Sequence, residues 1–522
     1  MGARSCTLFT KLEEGKPQVS VGFLLQCLRF LGSYNKAFCL SLDNSLKVIG
    51  RLPCPFAGPS YLVTASEVAT LQFAREVLNL PVPRVITWSG AKRGHTNPVG
   101  ADYIIMEESP GVRLGHRWEE FDSADDVRPI MTGMLDVETK FESLCFSRIG
   151  SLYFKEDVSV DLQTVPLLTG SIDATTRQLS EKYRVGPLID YQWWRGERAH
   201  MPLDRGPCML SLPNVVRSLI FVISGPDACS FFIAAAKNEQ IVMHQHSSSS
   251  SQYRRKPTHD HATHSRLLSM YIDAVPHFMP PSNNNVCAPT LWHPDLSLGN
   301  LFVSASGPAN LQGIIDWQHA AILPYFSFAS MPPAFVYNGD KVSMDGPRPG
   351  PLPSNINELS AKEQAEYRLQ LRLANRHKWY QTKAVLNPRR RAALCLPHIQ
   401  ELMMLPTYVT RAWADGVFDL REALVRLRKN WAAITDPNTP CPIEFSAEEM
   451  MEHERQLECF RCYEAAVDAV YSALYCEGDG WVAHENYDVV RELIGSLEGT
   501  WDETITGSPF PFKDGEHSYF LS

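Results

Sequence analysis

The sequence predicts an α+β chain of two lobes, a small strand-rich one followed by a large, mainly helical one. Three observations lead there. Short apolar runs with strand patterning cluster in the first hundred or so residues, around a single amphipathic helix. From about residue 110 apolar residues recur at i, i+3 and i+4. At 522 residues the chain exceeds what one core usually holds, and 44% hydrophobic with 20% charged residues is a folded composition.

In the first lobe, 37–42 (AFCLSL) and 46–52 (LKVIGRL) read as two strands joined through a turn at Asp43–Ser45. On the second, Lys47, Ile49 and Arg51 share a face at period two. Residues 64–78 follow as a helix with Val68, Leu71, Ala74, Val77 and Leu78 on one side. Thr64 and Glu67 fit a T-x-x-E capping box, so Glu67 reads either as a cap or as a partner for a cation. Arg51 reads either as that cation or as an ordinary surface charge. Two further strands lie in VPRVITWS and in 102–109 (DYIIMEES).

In the second lobe, 131–144, 265–275, 360–381 and 458–475 carry helical spacing, with Ser360 and Glu363 as a capping box. The His- and Ser-rich stretch 244–265 reads as a solvated, flexible low-complexity loop, and PRRR (388–391) as an exposed helix start. Thirteen scattered cysteines suit reduced thiols, with Cys459 and Cys462 as core or surface thiols on a helix. A net charge of −9 argues against nucleic acid as a partner, and no apolar run reaches the ~18 residues a membrane span needs.

The polar residues that carry chemistry sit in LWHPDLSLGNLFV (291–303) and LQGIIDWQHA (311–320). Apolar residues bracket His293, Asp295 and Asn300, and Asp316 follows a buried-strand pattern. Phosphoryl transfer needs a carboxylate that orients and deprotonates the attacking hydroxyl, and oxygen ligands for the magnesium that bridges the phosphates. This spacing supplies them: Asp295 as base, Asn300 and Asp316 as metal ligands, and His293 bracing the loop. Such a site also needs a phosphate-covering hairpin, a cation on a strand and a helix acid. Gly32 in GSYNKAF, Arg51 and Glu67 fall in that order, and the backbone of Met106, Glu107 and Glu108 is placed to meet a nucleobase.

As a set, these motifs resemble the aminoglycoside phosphotransferase (choline-kinase-like) superfamily. More narrowly, RLPCPFAGPS, NPVGADYIIMEESPGV, GPLIDYQWWRGERA and the two segments above resemble its fungal branch related to altered inheritance of mitochondria protein 9. The resemblance implies a bilobal protein-kinase-like fold, with an antiparallel N-lobe sheet and a helical C-lobe. Its expected bounds are 32–108 for the N-lobe, with the hinge near 106–108, and 109–510 for the C-lobe, after a divergent segment 1–31. It implies ATP and Mg2+ as cofactors, a small-molecule hydroxyl acceptor and a mitochondrial location, with the cytoplasm as the alternative. Arg51 stands where such folds usually carry lysine, and a catalytically weak nucleotide-binding protein is the competing expectation. Trp194 and Arg198 either line an acceptor site or pack. Residues 16–32 and 209–224 read as foreign to the pattern and suggest retained introns.

Overall fold

The structure is a computed structural model that describes residues 24–31, 35–42, 47–54, 57–90, 97, 99–206, 227–246, 261–474, 487–506 and 510. In the first lobe β1 (Leu24–Leu31), β2 (Asn35–Leu42), β3 (Lys47–Pro53), β4 (Val85–Ser89) and β5 (Tyr103–Glu107) form an antiparallel sheet ordered β1-β2-β3-β5-β4. The expected strand pair is there, with Ala37 opposite Arg51 and Cys39 opposite Ile49. Its turn, 43–46, and Gly32 lie outside the described residues. Residues 24–31, read as foreign, run along β2 as the edge strand, with Leu28 opposite Cys39. Residues 209–224 lie outside the described residues.

The helix of the first lobe, α1 (Ser60–Glu76), starts four residues before Thr64, straight after Pro59. Proline lacks the N–H a helix interior needs, so it marks the boundary. Thr64 and Glu67 therefore lie inside the helix, and the capping-box alternative fails. The Thr64 hydroxyl donates to the Ser60 carbonyl at 2.8 Å instead.

Beyond β5 the chain crosses at Ser109–Gly111 into β6 (Val112–Arg113), which pairs with a C-lobe strand. Gly111 has φ +86°, and a Cβ there would lie 2.2 Å from the Val303 carbonyl oxygen, so only glycine fits the crossing. After it come α2 (Ala124–Glu142), capped by Ser123, the short α3 (Tyr191–Trp194), β7 (Leu301–Val303), β8 (Leu311–Ile314) and the long α4 (Ala361–Ala384). The Ser360–Glu363 capping box starts α4 as expected.

One apolar core runs through both lobes. It joins Val68 and Phe73 of α1 to Ile130 and Phe141 of α2 and to Leu291, Leu301, Ile314 and Trp317. Each such buried side chain contributes about 1.5–3 kcal/mol, so the lobes are fastened by packing as well as by the crossing. This is the expected bilobal α+β arrangement, a small antiparallel sheet followed by a mainly helical lobe.

Two outlying expectations need correction. The ends of 244–265 are helical, within Ala228–His246 and His261–Phe278, and 247–260 lie outside the described residues. PRRR does start a helix, with Pro388 and Arg391 exposed, but its middle is not: Arg390 is 3% exposed and pairs with Glu138. Arg389 donates to Ala288 O and Thr290 Oγ1. A cationic run read locally looks solvated; here a buried acid 252 residues away claims its middle.

Candidate functional site

Two ladders place the site. In one, β7 pairs with β8, Leu301 opposite Ile314; in the other, Pro289–Trp292 pairs with Ala321–Pro324, Trp292 opposite Ala321. Loops 293–300 and 315–320 connect the same two ladders, so their ends are pinned and they must run side by side. Backbone bonds close the gap: Ile315 N–H donates to Asn300 O at 3.0 Å.

His293, 1% exposed, ties the loops from within. Its Nδ1 accepts from the Asp295 N–H at 3.1 Å, so Nε2 carries the proton and donates to Ile315 O at 2.9 Å. Burial drives its pKa down to about 4, which keeps the ring neutral, and it meets the Trp317 ring edge-on at 4.7 Å. The carbonyl it holds belongs to the residue before Asp316.

Asp295 is an exposed residue whose Oδ2 accepts from Ser297 Oγ at 3.0 Å and Asn300 Nδ2 at 2.8 Å. Desolvation of the carboxyl pushes its pKa up, Ser297 pulls it down, and Asp316 adds to the rise. Asn300 also directs Nδ2 to the Asp295 carbonyl at 3.0 Å, so both of these bonds use its nitrogen and not Oδ1. Asp316 sits at φ +66°, a strained conformation for a non-glycine residue.

Arg51 joins the lobes. From β3 it donates Nη1 to Glu67 Oε1 at 2.5 Å and Nη2 to Asp316 Oδ1. Desolvation opposes the ionised form of Asp316, but Arg51 outweighs it and holds this carboxyl below the usual range. Glu67, 3% exposed, is pushed up to about 7 by burial, against the pull of Arg51. Lys47, on the same strand, is exposed. Thus Asp295, Asn300, Asp316, Arg51, Glu67 and His293 come together. The oxygens left over, Asn300 Oδ1 and one of Asp316, are the hard donors magnesium prefers, so the residues fit that ion.

No protein-family model matches the chain. A subtelomeric hrmA-associated cluster protein of Aspergillus fumigatus is 33% identical over 512 residues, covering 93% of this chain and 96% of that one. The chain belongs to that family. Altered inheritance of mitochondria protein 9 of Clavispora lusitaniae is 24% identical over 483 residues, covering 88% of this chain and 74% of the relative. That of Saccharomyces cerevisiae is 22% identical over 477 residues, covering 88% and 72%. Among solved structures, an aminoglycoside phosphotransferase in complex with GDP and kanamycin is 12% identical, covers 80% of this chain and 95% of that one, and has a TM-score of 0.30. A macrolide 2'-phosphotransferase of Brachybacterium faecium is 13% identical, covers 80% and 96%, and scores 0.28. At those scores the overlay is too loose to place any residue.

In this hrmA-associated family member the other expected residues fall less centrally. Met106 and Glu107 belong to β5, opposite Ile49 and Val48, and the Glu107 N–H already donates to Arg84 O at 3.0 Å. Glu108 comes after the strand and is exposed. Trp194 and Arg198 pack: Trp194 Nε1 donates to Leu188 O, Arg205 lies 3.8 Å over its ring, and Arg198 pairs with Glu239 at 2.6 Å, both ends buried. Neither is left to line an acceptor site. Sequence reasoning missed Asn35 and Gln318, which meet across the lobes beside Arg51. Their positions, in the hairpin segment and two residues after Asp316, were the available signal.

Proposed function

We propose that this chain is a magnesium-dependent phosphotransferase that moves the γ-phosphoryl group of ATP to a hydroxyl of a small molecule. One observation carries it: Asn300 is hydrogen-bonded to Asp295 on one loop and takes the Ile315 N–H of the adjacent loop on its carbonyl, while Asp316, the next residue, is linked through Arg51 to Glu67.

In this reading Asp295 accepts the proton of the attacking hydroxyl, and its raised pKa suits a base. Ser297 and Asn300 hold its carboxylate so that one oxygen faces the acceptor. Asn300 Oδ1 and Asp316 hold the magnesium, which when bound neutralises phosphate charge. Arg51, kept in place by Glu67, lies against the phosphates, and the segment after Met106 and Glu107, at Glu108, borders the adenine. The relatives named as mitochondrial suggest the same compartment, with the cytoplasm as the alternative.

A second reading has its own support. Because Arg51 already engages both Glu67 and Asp316, a nucleotide must compete for Asp316, as in a weakly active nucleotide-binding protein. An ATP-consumption screen over hydroxylated metabolites, with thermal-shift binding of MgATP in parallel, separates the two. Turnover with some acceptor supports the enzyme; binding without turnover across the screen supports the second reading; no binding refutes both.

A further inference from the structure

Gln318 and Asn35 stand 283 residues apart in sequence and meet at the lobe interface, 4% and 8% exposed. Asn35 opens β2, and Gln318 lies in the turn behind Asp316. Gln318 Oε1 accepts from Asn35 Nδ2 and from Arg51 Nη2 at 3.3 Å. The arginine has only donors, so it fixes which end of the Gln318 amide faces it. That leaves Gln318 Nε2, a donor, and Asn35 Oδ1, an acceptor, both buried and both without a hydrogen-bond partner. A buried polar group left unpaired is costly, so two on the same contact call for a ligand that offers an acceptor to one and a donor to the other. A hydrated magnesium beside a phosphate has that pairing, because magnesium keeps several of its waters.

We propose that Asn35 and Gln318 are part of the phosphate site itself. Gln318 Nε2 donates to a phosphoryl oxygen and Asn35 Oδ1 accepts from a water of the hydrated cation. The inference rests on the proposed MgATP site, and it assigns to that site two amides that bridge the lobes. Arg51 and Gln318 then act as adjacent donors, one charged and one neutral, on the same anionic group.

Calorimetric titration of the full chain with MgATP, metal-free ATP and adenosine tests it. Gln318→Met and Gln318→Glu both remove the N–H donor, but the glutamate keeps the acceptor that holds Arg51 and Asn35. Both are expected to weaken MgATP binding roughly ten- to hundred-fold, the usual cost of a hydrogen bond to a charged group, and to leave adenosine binding unchanged. Asn35→Leu is expected to weaken MgATP more than metal-free ATP. Wild-type affinity in Gln318→Glu would mean that the amide acts only by holding Arg51, and overturns the proposal. So does an equal loss for adenosine. If the wild-type chain binds adenosine but shows no gain from the magnesium phosphates, the functional reading itself fails and this one with it.

Discussion

Arg51 and Asp316, 265 residues apart, form an ion pair that closes the two lobes onto each other. The same guanidinium holds Glu67, so one strand residue determines the position of a helix acid and an acid of the 315–320 loop at once. Lysine would have to meet both carboxylates from one compact nitrogen, whereas the planar guanidinium meets each from a separate one.

Replacing Arg51 with alanine leaves buried Glu67 without its cation. Breaking one side of a buried pair typically costs about 3–5 kcal/mol, and the exposed outer side of Asp316 moderates its share. Urea unfolding of Arg51→Ala is expected to show a loss of that order. A change below about 1 kcal/mol would mean the cluster does not hold the lobes.

His293 predicts a pH dependence. Its folded pKa of about 4 lies below the unfolded value near 6.5, so the unfolded chain binds the extra proton first as pH falls. The stabilisation is fully present above about pH 6.5 and is lost as pH falls toward 4. Between pH 7 and 5 the wild type is expected to lose about 2 kcal/mol more than His293→Gln, measured by urea unfolding at both pH values. Parallel curves for the two proteins would contradict the buried neutral ring.

Asp295→Asn keeps an acceptor for the Ser297 hydroxyl and removes the carboxylate proposed as the base. Turnover is expected to drop about 10²–10⁴-fold while MgATP affinity stays within a factor of two or so. Full turnover in this variant refutes the base assignment.

Asp316→Ala removes a proposed oxygen ligand and releases Arg51 from one of its two carboxylates. ATP affinity in the presence of magnesium is expected to fall toward the value seen with EDTA, where the cation is withheld. If titrations still show a strong magnesium effect in the variant, Asp316 is not a ligand.

Gly111→Ala tests the crossing. The added carbon would sit 2.2 Å from the Val303 carbonyl at a φ of +86°, so thermal unfolding should register a loss of at least about 1–3 kcal/mol. A variant as stable as wild type would show that the crossing relaxes freely.

Much of this was legible beforehand because it is local. Short apolar runs became β2, β3 and β5, the Ser360–Glu363 signature became the start of α4, and the spacing of His293, Asp295 and Asn300 became a hydrogen-bonded loop. The misreadings share a cause. Thr64–Glu67 has the spacing of a cap, yet Pro59 starts the helix earlier, and PRRR has the composition of a solvated run, yet Glu138 waits for Arg390.

By itself the sequence determined the elements, their order and the kit of side chains, since propensity and periodicity act over a few residues. Only the tertiary structure decided the pairings: Arg51 with both Glu67 and Asp316, Asn35 with Gln318, and Trp194 and Arg198 turned into the core. A charge or amide in the chain carries no mark of its distant partner. Burial selects that partner, because a polar group removed from water must find one wherever the fold places it.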